Sequence, residues 1–227
     1  MLIDAFPAGP LAANCYVAAP GPGAGCVVVD PGQSAAADLD RVLAGHRLTP
    51  EAVLLTHGHF DHVWSAAETA DRFGVPAYVH PADRALLTDP ARGLDPVLAT
   101  QLSGLLGGAD PAEPQDLREL DGTPLHLAGM EIGVEHAPGH TPGSVVFVLG
   151  GGEDGGPEAL FTGDLLFAGS IGRTDFPGGD HGAILHSLER VCLSRPDATE
   201  VLPGHGPRTT VGRERAANPF LRDIPAR

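Results

Sequence analysis

Residues 52–62 read Ala52-Val53-Leu54-Leu55-Thr56-His57-Gly58-His59-Phe60-Asp61-His62, an apolar run that ends in three imidazoles and one carboxylate within six positions. A short apolar run closed by a polar loop has the look of a strand buried on both faces, as in a sheet covered by other layers on either side. Imidazole nitrogen and carboxylate oxygen together suit zinc, iron or manganese, and the absence of cysteine among them argues against a closed structural zinc cage. His57 and His59 alternate along an extended loop and can point the same way, whereas Asp61 and His62 open the following helix and can face a second ion. Chance would account for any one of these histidines, but not for this spacing directly after an apolar strand.

On the N-terminal side, Leu2 to Phe6, Asn14 to Ala19 and Cys26 to Asp30 read as short strands between Pro/Gly-rich turns. Ser34 to Gly45 has apolar positions at helical spacing, with Ser34 as N-cap and Gly45 as terminator. On the C-terminal side, Asp61 to Phe73 reads as one helix, broken by Gly74 before a strand from Pro76 to His80. Trp64 and Phe73 fall on its apolar side and read as core. Strand, helix, strand is a βαβ-like unit.

Pro81 to Asp116 is richer in Pro, Gly and Asp and has only short periodic runs, so it reads as an insertion placed to line or cover a site. Strand candidates follow at Leu125 to Leu127, Met130 to Glu135, Val145 to Leu149 and Ala159 to Thr162, with the glycine-rich Gly150 to Gly156 as a hairpin-like loop. A helix from His181 to Cys192, a strand from Glu200 to Leu202 and a helix from Thr209 to Ala217 stopped by Pro219 complete the chain. The pattern predicts two sheets packed face to face with helices outside, in one domain spanning residues 1–227.

Composition narrows the function. The formal charge of −15 disfavours binding to nucleic acid or anionic lipid, both of which need clustered cations. No apolar stretch approaches the roughly 18 residues of a membrane helix. The opening MLIDAFPAGP lacks a secretory layout, which predicts a cytoplasmic location. Cys15, Cys26 and Cys192 are widely spaced and read as buried free thiols rather than a disulfide framework or a nucleophile.

Three further segments each set one candidate ligand among turn formers: Pro138-Gly139-His140-Thr141-Pro142-Gly143, Thr162-Gly163-Asp164 and Pro203-Gly204-His205-Gly206. Such turns can aim a side chain into a shared cavity. Thr141 and Ser144 read as turn-satisfying hydroxyls, and His46, His80, His126, His136, His181 and His186 as packing or surface residues.

With these segments in hand, the sequence resembles the metallo-β-lactamase superfamily, whose signature is HxHxDH followed by a lone His, a lone Asp and a lone His. The resemblance implies the α/β, αββα sandwich of that family. It implies one metal held by His57, His59 and His140, a second held by Asp61, His62 and His205, and Asp164 bridging the two. The cofactors implied are two divalent metal ions, zinc first, with iron and manganese as alternatives.

The stretch from Gly163 to Asp175, which contains Gly172-Arg173-Thr174-Asp175, is similar to the glyoxalase II (hydroxyacylglutathione hydrolase) group, and Arg208 to Leu221 to its short bacterial members. That similarity implies a hydrolase of small thioesters in which paired ions lower the pKa of a shared water. Asp61 would orient the water or accept its proton, and Arg173 would hold a substrate carboxylate, against an ion pair with Asp175 as the plainer reading. Full-length members carry a glutathione-binding helical domain, whereas 22 residues follow His205 here, so another carrier thiol stays open. The alternatives are a persulfide dioxygenase with a single iron on His57, His140 and Asp164, and a lactone or ester hydrolase.

Overall fold

The structure is a computed structural model and describes residues 1–105, 112–150, 158–222 and 224. Its first sheet runs β1 (Leu2–Ala8), β2 (Ala13–Ala19), β3 (Gly25–Val29), β4 (Thr49–Leu54), β5 (Ala77–Val79) and β6 (Leu117–Glu119) in spatial as well as chain order. β1, β2 and β3 pair antiparallel, and β3 through β6 pair parallel. The second sheet contains β7 (Leu125–Leu127), β8 (Met130–His136), β9 (Val145–Leu149) and β10 (Ala159–Gly163). After the two-stranded hairpin β11 (Leu166–Phe167) and β12 (Ser170–Ile171), the sheet is completed by β13 (Glu200–Pro203) and β14 (Thr209–Thr210), in the order β14-β13-β10-β9-β8-β7. It is mixed as well, since β10 and β13 are parallel and its other pairs antiparallel.

The apolar runs are continuous where a strand buries both faces, as the central ones do. In β9, Val145, Phe147 and Leu149 point between the sheets, while Val146 and Val148 point to the outer layer. In β2, Tyr16 and Ala18 meet the opposite sheet, while Cys15, Val17 and Ala19 pack outward. Helices α1 (Ala36–His46) and α3 (Ala66–Phe73) cover the first sheet through Leu39, Val42, Leu43, Ala66 and Ala70. Helices α5 (His181–Ser187) and α6 (Val211–Ala217) cover the second through Ile184 and Val211. The result is the expected αββα sandwich, and no helix among the described residues is long and apolar enough to cross a membrane.

Several boundaries differ from the sequence reading. The helix expected from Asp61 to Phe73 is two pieces, α2 (Phe60–Val63) and α3, because the Ser65 N–H donates to the Pro31 carbonyl at 2.9 Å and leaves the helical ladder. Ser34 has φ +59° and does not cap α1. That helix runs one residue past Gly45 and ends on Arg47 in the left-handed region. The last helix starts at Val211 with Thr210 as its side-chain cap, after the short strand β14. The helix from His181 continues beyond Ser187 as a π-helical stretch, Leu188–Leu193.

The expected insertion holds 3-10 turns at Pro81–Leu87 and Pro90–Gly93 and the helix α4 (Pro96–Leu105), with β6 at its end. Trp64 and Phe73 are only partly buried, at the margins of apolar clusters. The Gly150 to Gly156 loop lies outside the described residues except for Gly150, but the strands on either side of it do pair antiparallel. All three cysteines are free and buried. Burial raises each thiol, to about 12 for Cys26 and Cys192, which removes them from nucleophilic chemistry.

Candidate metal centre

Every candidate ligand leaves a strand end or turn at one edge of the sandwich. β4 delivers residues 57–62, the turn between β8 and β9 delivers His140, β10 delivers Asp164 and β13 delivers His205. Backbone bonds join the two sheets there, with the Val145 N–H donating to Thr56 O at 2.8 Å and Asn14 to Gly204 O at 2.7 Å, while within the second sheet Gly204 donates to Gly163 O at 2.8 Å. Two glycines permit this approach. Gly163, at φ +47°, lies against the Thr56 hydroxyl, and a Cβ on Gly204 would run into Asp164 Oδ1 and His62.

The seven predicted residues converge, six of them as two triplets with Asp164 between. His57, His59 and His140 offer ligand atoms within 4.8 Å of one another, and so do Asp61, His62 and His205. In the second triplet His62 Nε2 lies 3.3 Å from His205 Nε2, and His205 Nε2 lies 3.2 Å from Asp61 Oδ2. Donors on one tetrahedral ion with bonds of roughly 2.0–2.1 Å stand about 3.3–3.4 Å apart, so these separations fit a shared ion. In the first triplet His59 Nδ1 faces His140 Nε2 at 2.8 Å. Asp164 lies between the triplets, with Oδ1 3.3 Å from His62 Nε2 and Oδ2 3.5 Å from His140 Nε2 and 3.8 Å from His205 Nε2.

Hydrogen bonds set which ring nitrogens carry lone pairs. Asp30, 2% exposed, accepts from the Thr56 N–H at 2.8 Å through Oδ1, and from the Thr56 hydroxyl at 2.5 Å and His62 Nδ1 at 3.0 Å through Oδ2. The Thr56 hydroxyl spends its proton on Asp30, so its oxygen accepts from His57 Nδ1 at 3.1 Å. His140 Nδ1 donates to the Arg173 carbonyl at 2.8 Å. In their neutral forms His57, His62 and His140 therefore leave Nε2 unprotonated, which is the tautomer a metal needs. His57 Nε2 and Asp164 Oδ1 are buried without any hydrogen-bond partner. Unpartnered buried acceptors are costly, and a cation would satisfy both. Asp30 also lies close to His57 and His62 at ligand spacing, but its oxygens are fully committed, so it orients ligands and does not join them.

The electrostatics fit the same reading. Burial holds His57 well below its ordinary value and His59 at about 3, so both stay neutral. Burial alone would raise Asp61 and Asp164, but the surrounding imidazoles outweigh it and keep both carboxyls below the ordinary range. Burial opposes charge on His62 and His205, yet the nearby carboxylates Asp61 and Asp164 raise both. In the metal-free protein the carboxylates draw protons onto these two rings. The same field would favour a divalent cation in their place.

Arg173 contributes its carbonyl to His140, while its guanidinium makes a bidentate pair with Asp175, 2.7 Å in both bonds, and lies 3.6 Å over the Phe176 ring. Phe176 in turn meets His59 edge-on at 6.1 Å, so this stack forms part of the wall beside the first triplet. The 81–116 segment forms another part: Gly93 packs against His59, and Leu94 and Leu98 join Phe60 and Phe176. The Thr141 N–H donates to the Ser144 hydroxyl, the turn role expected of that serine. The sequence reading missed two buried carboxylates. Asp30 had a signal, a charge closing the apolar run Cys26–Val29. Asp83, within a Pro-Ala-Asp-Arg turn, had none.

The model of the Metallo-beta-lactamase superfamily matches residues 8–205. An uncharacterized protein of Mycobacterium tuberculosis is 51% identical over 226 residues, 99% of both chains. The hydroxyacylglutathione hydrolase GloC of Haemophilus influenzae is 34% identical over 194 residues, 86% of both. Among solved structures, the BLEG-1 B3 metallo-beta-lactamase superposes with a TM-score of 0.82 at 38% identity, covering 97% of this chain and 100% of that one. The protein TTHA1623 in a di-iron-bound form superposes with a TM-score of 0.76 at 41% identity, covering 94% and 97%.

Proposed function

This chain belongs to the metallo-beta-lactamase superfamily, and from that premise we propose that it is a dinuclear metal-dependent hydrolase of small thioesters. The observation that carries the metal reading is the pair of donor triplets with Asp164 between them and His57 Nε2 and Asp164 Oδ1 left unpartnered. His57, His59 and His140 would hold one ion, Asp61, His62 and His205 the other, and Asp164 both. The donor set is nitrogen and oxygen, which suits zinc, manganese or iron, and the di-iron form of a relative at 41% identity keeps iron in view. Paired ions in such a centre make a water acidic enough to ionise near neutral pH and polarise a carbonyl oxygen.

The residues of the chain do the rest. Asp61, kept ionised and 16% exposed, is placed to orient that water or accept its proton. Arg173, half-exposed on the Phe176 ring, presents a fixed cation beside the site, where a substrate carboxylate would compete with Asp175. A thioester suits the centre because a thiolate, the conjugate base of an acid of pKa about 8.5, leaves without a proton, whereas an amide's nitrogen must be protonated before it can leave. The similarity to a hydroxyacylglutathione hydrolase supports the same class, with the carrier thiol open. We infer a small-molecule substrate, no nucleic-acid or lipid partner given the charge of −15, and a cytoplasmic setting.

The test is thiol release from S-lactoylglutathione, with metal content quantified in the same sample and Asp164→Ala as control. Metal-dependent release that the variant lacks is the expected result. An active Asp164→Ala variant with both ions bound would sink the bridging assignment. A filled centre that releases no thiol from S-lactoylglutathione or from acyl esters of other small thiols would reject the thioesterase reading. Parallel oxygen-uptake, lactone and β-lactam assays would then discriminate among a single-iron persulfide oxidation, lactone cleavage and the activity named for the BLEG-1 protein.

A further inference from the structure

Asp83 lies in the 3-10 turn Pro81–Leu87, is 0% exposed, and contributes nothing to either donor triplet. Its carboxylate is shared between two loops. Oδ2 accepts from the Gly58 N–H at 2.9 Å and the Thr141 hydroxyl at 2.6 Å, and Oδ1 accepts from the Gly143 N–H at 2.7 Å. Gly58 lies between His57 and His59, while Thr141 and Gly143 flank the turn that presents His140. Both glycines crowd this residue. A Cβ on Gly143 would stand 2.5 Å from the Asp83 carboxyl carbon, and one on Gly58 would stand 2.8 Å from the Asp83 carbonyl oxygen.

We propose that Asp83 is a positioning residue for one metal position alone: it clamps the 57–59 loop of the first sheet to the His140 turn of the second and so sets the spacing of the His57, His59 and His140 triplet. The inference rests on the metal-centre reading above. The Asp61, His62 and His205 triplet is held by other means. His62 is fixed by Asp30, and His205 by the bridge from its backbone to Ala13 and the bond from the Asn14 N–H to Gly204 O. A carboxylate with three donors uses both oxygens, which no neutral side chain of its size can do. Asp83→Asn keeps the volume but turns an amide NH2 toward one of the two glycine N–H groups, so one loop is released while the other stays bound.

The experiment is a cobalt(II) titration of the metal-free protein followed by its d–d absorption, with near-ultraviolet circular dichroism as a check on the fold. Wild type is expected to take up two ions. Asp83→Asn is expected to bind one of them with unchanged affinity and the other about 10- to 100-fold more weakly, the size typical of lost partners behind a ligand. The spectrum of the weakened position should change as well. Thr141→Val, which leaves both glycine donors bonded, should show the same selective loss at smaller size, and it decides the matter if Asp83→Asn fails to fold. Equal weakening of both ions, or no weakening of either, overturns the inference while leaving the metal centre in place. A wild-type protein that binds no ion overturns both.

Discussion

Asp30→Asn tests how the centre is prepared, because the structure dictates which way the new amide must face. Oδ1 accepts the Thr56 backbone N–H, so the asparagine oxygen must stay there and the NH2 must occupy the Oδ2 position. That NH2 then faces the Thr56 hydroxyl and His62 Nδ1, both of which donate in the native protein. To avoid a donor facing a donor, His62 must move its proton to Nε2, the nitrogen that points at His205. The Thr56 hydroxyl must turn its proton toward His57 Nδ1, which pushes the His57 proton to Nε2 as well. One ligand of each triplet then presents N–H where it presented a lone pair.

Reversing the tautomer costs about 10- to 100-fold in affinity at each ion, or about 1.4–2.7 kcal/mol apiece. If the rings refuse to change, a buried donor is left unsatisfied at about 1–3 kcal/mol. For a chain of this length, that lowers the midpoint of metal-free thermal unfolding by about 2–12 °C. Chelator competition reads the affinities, and imidazole nitrogen NMR shifts read the tautomers. A variant with native affinity for both ions and a native melting midpoint would refute the argument that Asp30 fixes these rings.

Two predictions concern the rest of the molecule. In the metal-free protein, His59 is held at about 3 and His57 is also depressed, while unfolded histidine titrates near 6.5. The unfolded chain therefore binds protons that the folded chain refuses. The stability these rings contribute is present above pH 6.5 and lost as the pH falls toward 3, at up to about 1.4 kcal/mol per pH unit for each. His62 and His205, being raised, oppose this slope at about pH 6.5, where only the unfolded rings still titrate, and add none below about pH 5.5, where they are protonated in both states. Urea midpoints at about pH 5.5, 4.5 and 3.5 check this, and a midpoint that holds steady or rises on acidification across that range contradicts it. Phe147→Ala removes a fully buried ring between the sheets and should cost about 3–5 kcal/mol by chemical denaturation, where a loss below 1 kcal/mol would mean the two sheets do not share that core.

The sandwich was legible because apolar runs such as Val145–Leu149 are continuous, which a strand covered on one side would not be. The candidate ligands were legible because their chemistry is local: an imidazole after an apolar strand needs little context to be suspect. What escaped the sequence depends on neighbours far along the chain. The pieces β6, β11, β12 and β14 are two or three residues long and carry no period, so only pairing defines them. The break between α2 and α3 is set by the Pro31 carbonyl, 34 positions before Ser65. Asp83 looks like any acidic turn residue until Gly143, 60 positions later, is folded against it.

The buried carboxylates Asp30 and Asp83 also tie the centre to this edge of the fold. The first triplet draws His57 and His59 from one sheet and His140 from the other, and the second draws Asp61 and His62 from one and His205 from the other. Ligand spacing is then a direct readout of how the sheets are registered. Apolar packing between them fixes the register only to the tolerance of side-chain rotamers. The directional bonds of Asp83 to Gly58 and to Thr141 and Gly143 narrow that tolerance to hydrogen-bond lengths, while those of Asp30 to Thr56 and His62 orient the rings on the first sheet's side. An ion bound across the sheets would stabilise the folded state by an amount that grows with the logarithm of free-ion concentration over its dissociation constant, because the unfolded chain cannot assemble either triplet. Metal affinity and cohesion of the two sheets are therefore one property of this sequence, reached through the same few backbone contacts.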